Sequence, residues 1–328
     1  MIRPFIDAHV HLNTTSTQKM EKALAHGVSF LSIITEIPFF DSIEGQEQVI
    51  KELDKKYPNQ IKYITSFSTE NWGESDWADK AIAQIQRGLD NGAVGVKIWK
   101  NIGMDLQDKD GRFIMIDDES LAPIFKYLEE NEILLIGHQG EPRNCWLPLE
   151  EMTVDSDRNY FQGHPEYHMY LHPEYPSYMA QMDARDNMLE KYPKLNFVGL
   201  HLLSMEYSID EVSKRMDKYP NLLTDLAERV CHLQLQSKER WEDVRNFMIK
   251  YQDRIIYGTD VIDDGSFGEQ GVADRLEHLW KFHWDFFATE KELEAPEFSG
   301  TFKGLALPEE VLEKIFYSNA ARIYRFGQ

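Results

Sequence analysis

The sequence predicts an α/β fold in which eight parallel strands, each followed by a helix, close into a (β/α)8 TIM barrel. Three observations carry this prediction. Eight short apolar runs alternate with amphipathic stretches along the chain. Several of these runs are apolar nearly throughout, as parallel strands buried on both faces require. No glycine-rich turn follows the first run, where an open doubly wound sheet usually carries one.

The strand runs lie at 5–9, 28–35, 61–67, 94–98, 133–137, 196–201, 222–225 and 254–258. Between them come the helices. Val49, Ile50 and Leu53 precede Tyr57-Pro58, a helix stop. Trp77, Ala81, Ile85 and Leu89 repeat at helical spacing and end at Asn91-Gly92, a good C-terminal signal. Leu121, Phe125 and Leu128 form one apolar stripe, and Trp241, Val244, Phe247 and Met248 another. The last helix is expected from Pro308, with Val311, Ile315 and Phe316 facing inward.

Two stretches exceed this repeat. Residues 139–178 follow the fifth strand and are rich in Tyr, His and Pro. Ordinary βα loops run about 2–6 residues, so this insertion is expected to form a lid or substrate wall. Residues 282–307 read as a second long connection. No linker or low-complexity tract divides the chain, so residues 1–328 are expected to form one barrel domain.

Composition limits the function classes. Lys plus Arg number 35 against 56 Asp plus Glu, a net charge of −21. Such a surface repels phosphate backbones and anionic membranes, so neither nucleic acid nor membrane is expected as a partner. A small-molecule substrate is. An assembly of identical subunits is compatible with the sequence but not specified by it. The two cysteines, Cys145 and Cys231, exclude a disulfide scaffold. No secretory signal pattern precedes the first strand, so a cytoplasmic location is expected.

The chemistry-bearing residues sit at strand ends. In Asp7-Ala8-His9-Val10-His11, His9 and His11 are two apart and share one strand face. Alone, this pair is weak evidence for a metal. Further residues strengthen it: Lys97 after the fourth strand, His138 ending the fifth, His201 ending the sixth and Asp260 following the eighth. Barrel enzymes place catalytic groups at these C-terminal strand ends.

On these residues, with Tyr257-Gly258-Thr259-Asp260 and the closing Asn319-Ala320-Ala321-Arg322, the chain resembles the amidohydrolase superfamily. The resemblance is to the amidohydrolase-related family that includes aminocarboxymuconate-semialdehyde decarboxylase-like enzymes and sugar lactonases. It implies that His9, His11, His138 and Asp260 hold a divalent metal, zinc first and manganese or iron as alternatives. One ion is expected, and two are compatible. Asp260 would then move a proton, while His201 would stabilise an oxyanion or hold a second ion. Lys97 is read as a substrate or acid contact, a carboxylated bridge between two ions, or a structural ion pair, in that order. The implied activity is metal-dependent hydrolysis of a lactone, ester or amide in a small polar substrate. A decarboxylase or hydratase on the same site is the alternative, and a non-catalytic ligand-binding barrel is a third reading.

Other residues carry weaker expectations. Glu141 and Arg143 are substrate-binding candidates, with a Glu–Arg pair that shapes the loop as the plain alternative. His164, His168 and His172 recur every fourth residue, but Pro165 and Pro173 interrupt them, so loop packing is the simpler reading. Tyr160, Tyr167, Tyr170 and Tyr175 could line a pocket or pack on one another. Asp225 is expected to cap the following helix rather than to orient a ligand histidine.

Overall fold

The strands gather into one parallel sheet. The computed structural model describes residues 4–327. The strands are β1 (Phe5–Leu12), β2 (Val28–Ile33), β3 (Ile61–Ser66), β4 (Val96–Ile98), β5 (Leu135–Gly137), β6 (Phe197–Gly199), β7 (Leu222–Asp225), β8 (Ile255–Ile256) and β9 (Val261–Asp263). Their order is β8-β7-β6-β5-β4-β3-β2-β1-β9, with every pairing parallel. The architecture is a (β/α)8 barrel. Closure falls between the eighth strand and β1. There the Ala8 N–H donates to the Tyr257 carbonyl at 3.0 Å, and the Asp260 N–H to the His9 carbonyl at 2.8 Å.

Alternation along the strands builds two layers of core. Phe30, Tyr63, Leu135, Phe197, Leu222 and Ile255 pack outward under the helices. Their neighbours Leu31, Ile64, Ile136, Val198, Leu223 and Ile256 fill the barrel interior. The same period of two turns Lys97 inward, because Val96 faces out.

Strand β1 departs from strict alternation. Its register on β2 runs Asp7↔Phe30 and then Val10↔Ser32, so β1 carries one extra residue. This bulge shifts the phase. Before it, Ile6 and Ala8 face the interior. After it, Val10 and Leu12 join the outer core. His9 and His11 thereby turn into the barrel mouth.

The helices follow the apolar stripes. Trp77, Ala81 and Ile85 are buried on Trp77–Asp90, and Val244, Phe247 and Met248 on Val230–Lys250. The closing helices bury Val311, Ile315 and Phe316 as expected. Two boundaries are corrected. The eighth strand, expected at 254–258, is shortened to β8 at Ile255–Ile256, and β9 starts only after Gly258, which packs onto His9, and Asp260, which adopts a left-handed φ of +63°. The connection expected at 282–307 begins later: helix Gly268–Ala288 continues through Phe282. A hairpin of Glu292–Glu294 with Thr301–Lys303 follows it. Residues 139–178 hold short 3-10 turns and one helix, Asp155–Gly163, around a small core of Cys145, Met152, Phe161 and Met169. Among the described residues, no helix is long and apolar enough to cross a membrane.

Candidate metal centre

Four imidazoles and one carboxylate converge at the C-terminal mouth of the barrel. The His9 and His11 rings lie 5.6 Å apart, His9 and His201 5.0 Å, and His138 and His201 4.3 Å. Asp260 Oδ1 stands 3.1 Å from His9 Nε2 and 3.3 Å from His11 Nε2. Ligand atoms of His9, His11 and Asp260 fall within 4.8 Å of one another, as do those of His9, His201 and Asp225. His138 belongs to neither tight group, although its ring abuts His201.

Two of the rings, His9 and His201, are aimed by what the far nitrogen does. His9 Nδ1 meets Asp225 Oδ2 at 2.6 Å, and His201 Nδ1 meets the Ala227 carbonyl at 3.0 Å. A carbonyl only accepts, so His201 carries its proton on Nδ1 and offers a lone pair at Nε2. The Asp225 carboxylate likewise accepts the Nδ1 proton of His9. The Nε2 atoms of His138 and His201 are buried and have no hydrogen-bond partner. Buried polar atoms are normally paired, and the unpaired Nε2 atoms of His138 and His201, with the Nε2 atoms of His9 and His11 against the Asp260 carboxylate, form a donor set that a divalent cation satisfies.

Two expectations are corrected here. Asp225 does not cap the next helix, Val230–Lys250, whose N-cap position is Arg229. Its second oxygen instead accepts the His201 N–H at 2.5 Å, so one carboxylate orients both histidines. An oxyanion-stabilising role for His201 would need a proton on Nε2. That proton is held at Nδ1 by Ala227, so His201 accepts or ligates.

The turn that presents Asp260 is also built. Asp7, fully buried, accepts the Thr259 N–H at 2.9 Å, the Thr259 hydroxyl at 2.8 Å and the Trp280 indole N–H at 2.8 Å. Burial raises the Asp7 pKa to about 6 against these three donors. Neither Asp7 nor Thr259 was singled out as a site residue. Their signal in the sequence is position: Asp7 lies two residues before His9, and Thr259 directly precedes Asp260.

Electrostatics divides the group into charged and neutral members. Burial alone would lower the His9 pKa, but Asp260 and Asp225 override it and hold it at about 9. Burial lowers His11 to about 4 and His201 to about 3. His138 lies well below its usual range, through burial and then its neighbours His201, Lys100 and Lys97. Burial pushes Asp260 up, yet His9 and His11 hold it well below the usual carboxylate range. Lys97 is 2% exposed. Its pKa falls to about 8 through burial, with Asp260 and Asp225 opposing.

The loop after β5 contributes differently from expectation. Glu141 pairs with Lys100, a residue not singled out from sequence, and not with Arg143. Arg143 is exposed, and its guanidinium lies 4.5 Å over the Tyr207 ring. His168 and His172 bond the carbonyls of Leu147 and Pro165 at 2.8 and 3.0 Å, and His164 faces Glu166 at 3.5 Å, so these three serve the loop itself. Cys145 and Cys231 are free thiols.

The comparisons agree with this architecture. A family model described as amidohydrolase matches residues 74–326, most of the chain. His9 and His11 precede the matched stretch, and the geometry joins them to it. The fold is similar to that of 2,6-dihydroxybenzoate decarboxylase from Rhizobium, at 14% identity and a TM-score of 0.55, covering 100% of both chains. It is similar to dihydroxybenzoic acid decarboxylase from Polaromonas sp. JS666, a structure with bound manganese and 2-nitroresorcinol, at 13% identity and a TM-score of 0.57, covering 100% of this chain and 98% of that one. A third is 4-oxalomesaconate hydratase from Rhodopseudomonas palustris, at 12% identity and a TM-score of 0.51, covering 98% of this chain and 95% of that one. No curated protein matches the chain. From the extent of the family match, this chain belongs to the amidohydrolase family.

Proposed function

We propose that the chain is a metal-dependent hydrolase that activates water for attack on a carbonyl of a small polar substrate, such as a lactone, ester or amide. The observation that carries the reading is the cluster of His9 and His11 on the Asp260 carboxylate, with the buried, unpaired Nε2 atoms of His138 and His201 beside them. His9, His11, His138 and Asp260 are the residues that would hold one divalent ion, zinc first and manganese or iron as alternatives. Bound there, the ion supplies Lewis acidity, which polarises a carbonyl or acidifies a water.

The chain's own groups do the rest. Asp260, kept ionised by His9 and His11, accepts the proton of the attacking water and returns it to the leaving group. His201 offers its Nε2 lone pair as a second acceptor. Lys97, with a pKa of about 8, is mostly an ammonium at neutral pH and suits the developing oxyanion. Residues 139–178 act as the lid, and the Lys100–Glu141 pair meets the polar part of the substrate.

A lyase on the same site is the second reading, because similar structures include two decarboxylases and a hydratase. Elemental analysis of the purified chain tests the shared premise. About one equivalent of metal is expected, and it should be lost in His9→Ala/His11→Ala. Unchanged metal content in that variant would end the reading. A substrate panel read for acid release against carbon dioxide release then separates hydrolase from decarboxylase.

A further inference from the structure

His201 stands at the head of a left-handed turn. His201, Leu202, Leu203 and Ser204 have φ of +57°, +55°, +61° and +51°, and none is glycine. L-residues visit this region singly, because Cβ crowds the following carbonyl. Four in succession persist only where the surroundings over-determine them. Inside the turn, the Ser204 N–H bonds the carbonyls of Leu200 and His201 at 3.2 and 3.0 Å, and the Met205 N–H bonds that of Leu202 at 3.0 Å.

Two side chains grip the turn from outside, both on helix Tyr178–Lys191. The Tyr178 hydroxyl donates to the Ser204 carbonyl at 2.6 Å, and the Arg185 guanidinium donates to the Leu203 carbonyl. Both side chains are buried, Arg185 to 1% exposure. They are seven residues apart, two helical turns, and so share a face. Arg185 otherwise meets Asp186 at 2.8 Å and the sulfurs of Met182 and Met205 at 3.5 and 3.8 Å. A methionine would fill such a pocket without the cost of burying a charge. What only the guanidinium adds is donors, and one of them goes to Leu203.

We propose that Tyr178 and Arg185 are positioning residues for His201. By holding the carbonyls of Ser204 and Leu203, they keep the turn left-handed, with the His201 N–H on Asp225 and its Nδ1 on Ala227. Tyr178 opens its helix at the end of the 139–178 segment, so the lid terminates on a residue that grips the turn. The functional meaning rests on His201 being a site residue, as read above.

The test is histidine NMR on the full chain as purified, labelled with 15N-histidine. The His201 Nδ1–H signal is identified by its loss in His201→Asn, and its exchange with water is measured. Tyr178→Phe removes one hydroxyl, and Arg185→Met fills the sulfur-lined pocket. Each is expected to speed that exchange roughly fivefold, about what one ordinary hydrogen bond controls. Adding Ser204→Gly to Tyr178→Phe should restore slow exchange, since glycine adopts the left-handed region at no steric cost. Unchanged exchange in both single variants would overturn the proposal, and so would failure of glycine to rescue. Turnover in His201→Asn tests the functional reading separately: full activity there would remove His201 from the mechanism and leave the exchange result standing.

Discussion

Replacing Asp225 by Asn changes one atom at the point where both histidine orientations meet. Asp225 accepts from His9 Nδ1 at 2.6 Å and from the His201 N–H at 2.5 Å. It is 1% exposed, so water cannot take over either bond. Asn has one carbonyl oxygen, and its amide nitrogen must face one of the two donors. At least one charge-assisted hydrogen bond is lost, worth about 1.5–3 kcal/mol, and a buried donor is left unpaired at a further cost of about 1–3 kcal/mol. Partial relaxation brings the expected net loss of stability to about 2–4 kcal/mol. Whichever donor loses its partner, one of the two histidines is no longer held in place. Groups that orient metal ligands in this way typically control about 10–100-fold in affinity. Urea unfolding reads the first quantity, and competition for zinc with a chelating dye reads the second. Stability within about 0.5 kcal/mol of the parent, together with unchanged zinc affinity, would refute the reasoning that one carboxylate aims both rings.

Two further perturbations probe other parts of the site. In Gly258→Ala the new Cβ would lie 2.6 Å from His9 Cβ and 3.1 Å from His9 N, between neighbouring strands with no flexible group to yield. It should cost about 1–3 kcal/mol and displace His9, read as a lower Tm and reduced metal content; parental values for both would contradict the tight seam. Glu206 is pushed up by burial to about 8 from 4.5, with Arg229 and the Arg143 N–H opposing. Between those values the folded state holds a proton that the unfolded state has released, so stability falls as pH rises from about 4.5 to 8 and is flat above. Glu206→Gln keeps the acceptor for Arg143 and removes the titration. Its Tm should exceed that of the parent at pH 9 by more than at pH 5, and a pH-independent difference would show that Glu206 ionises normally.

How far the sequence reaches depends on the range of the interaction. Parallel strands buried on both faces are legible as apolar runs, and helices as stripes, because both patterns are local periodicities. The eighth strand was the exception: two residues of β8 are all that pair as a strand before Gly258 and Asp260 break the line. The site histidines and Asp260 were legible because barrel topology places every strand end at one mouth. Arg143 was not: Glu141 and Arg143 are neighbours in sequence, but in the fold Lys100 takes the glutamate and Tyr207 takes the arginine.

The sequence by itself therefore determined the barrel, the strand ends that carry chemistry and the acidic character of the surface. Tertiary structure alone decided which way those groups point. The β1 bulge turns His9 and His11 inward, Asp225 reaches across 216 residues to His9, and Asp7 across 252 residues to Thr259. A left-handed turn of four non-glycine residues aims His201 against its own local preference. Hydrogen bonds of that span, and strain that only distant donors hold in place, leave no periodic trace in a chain.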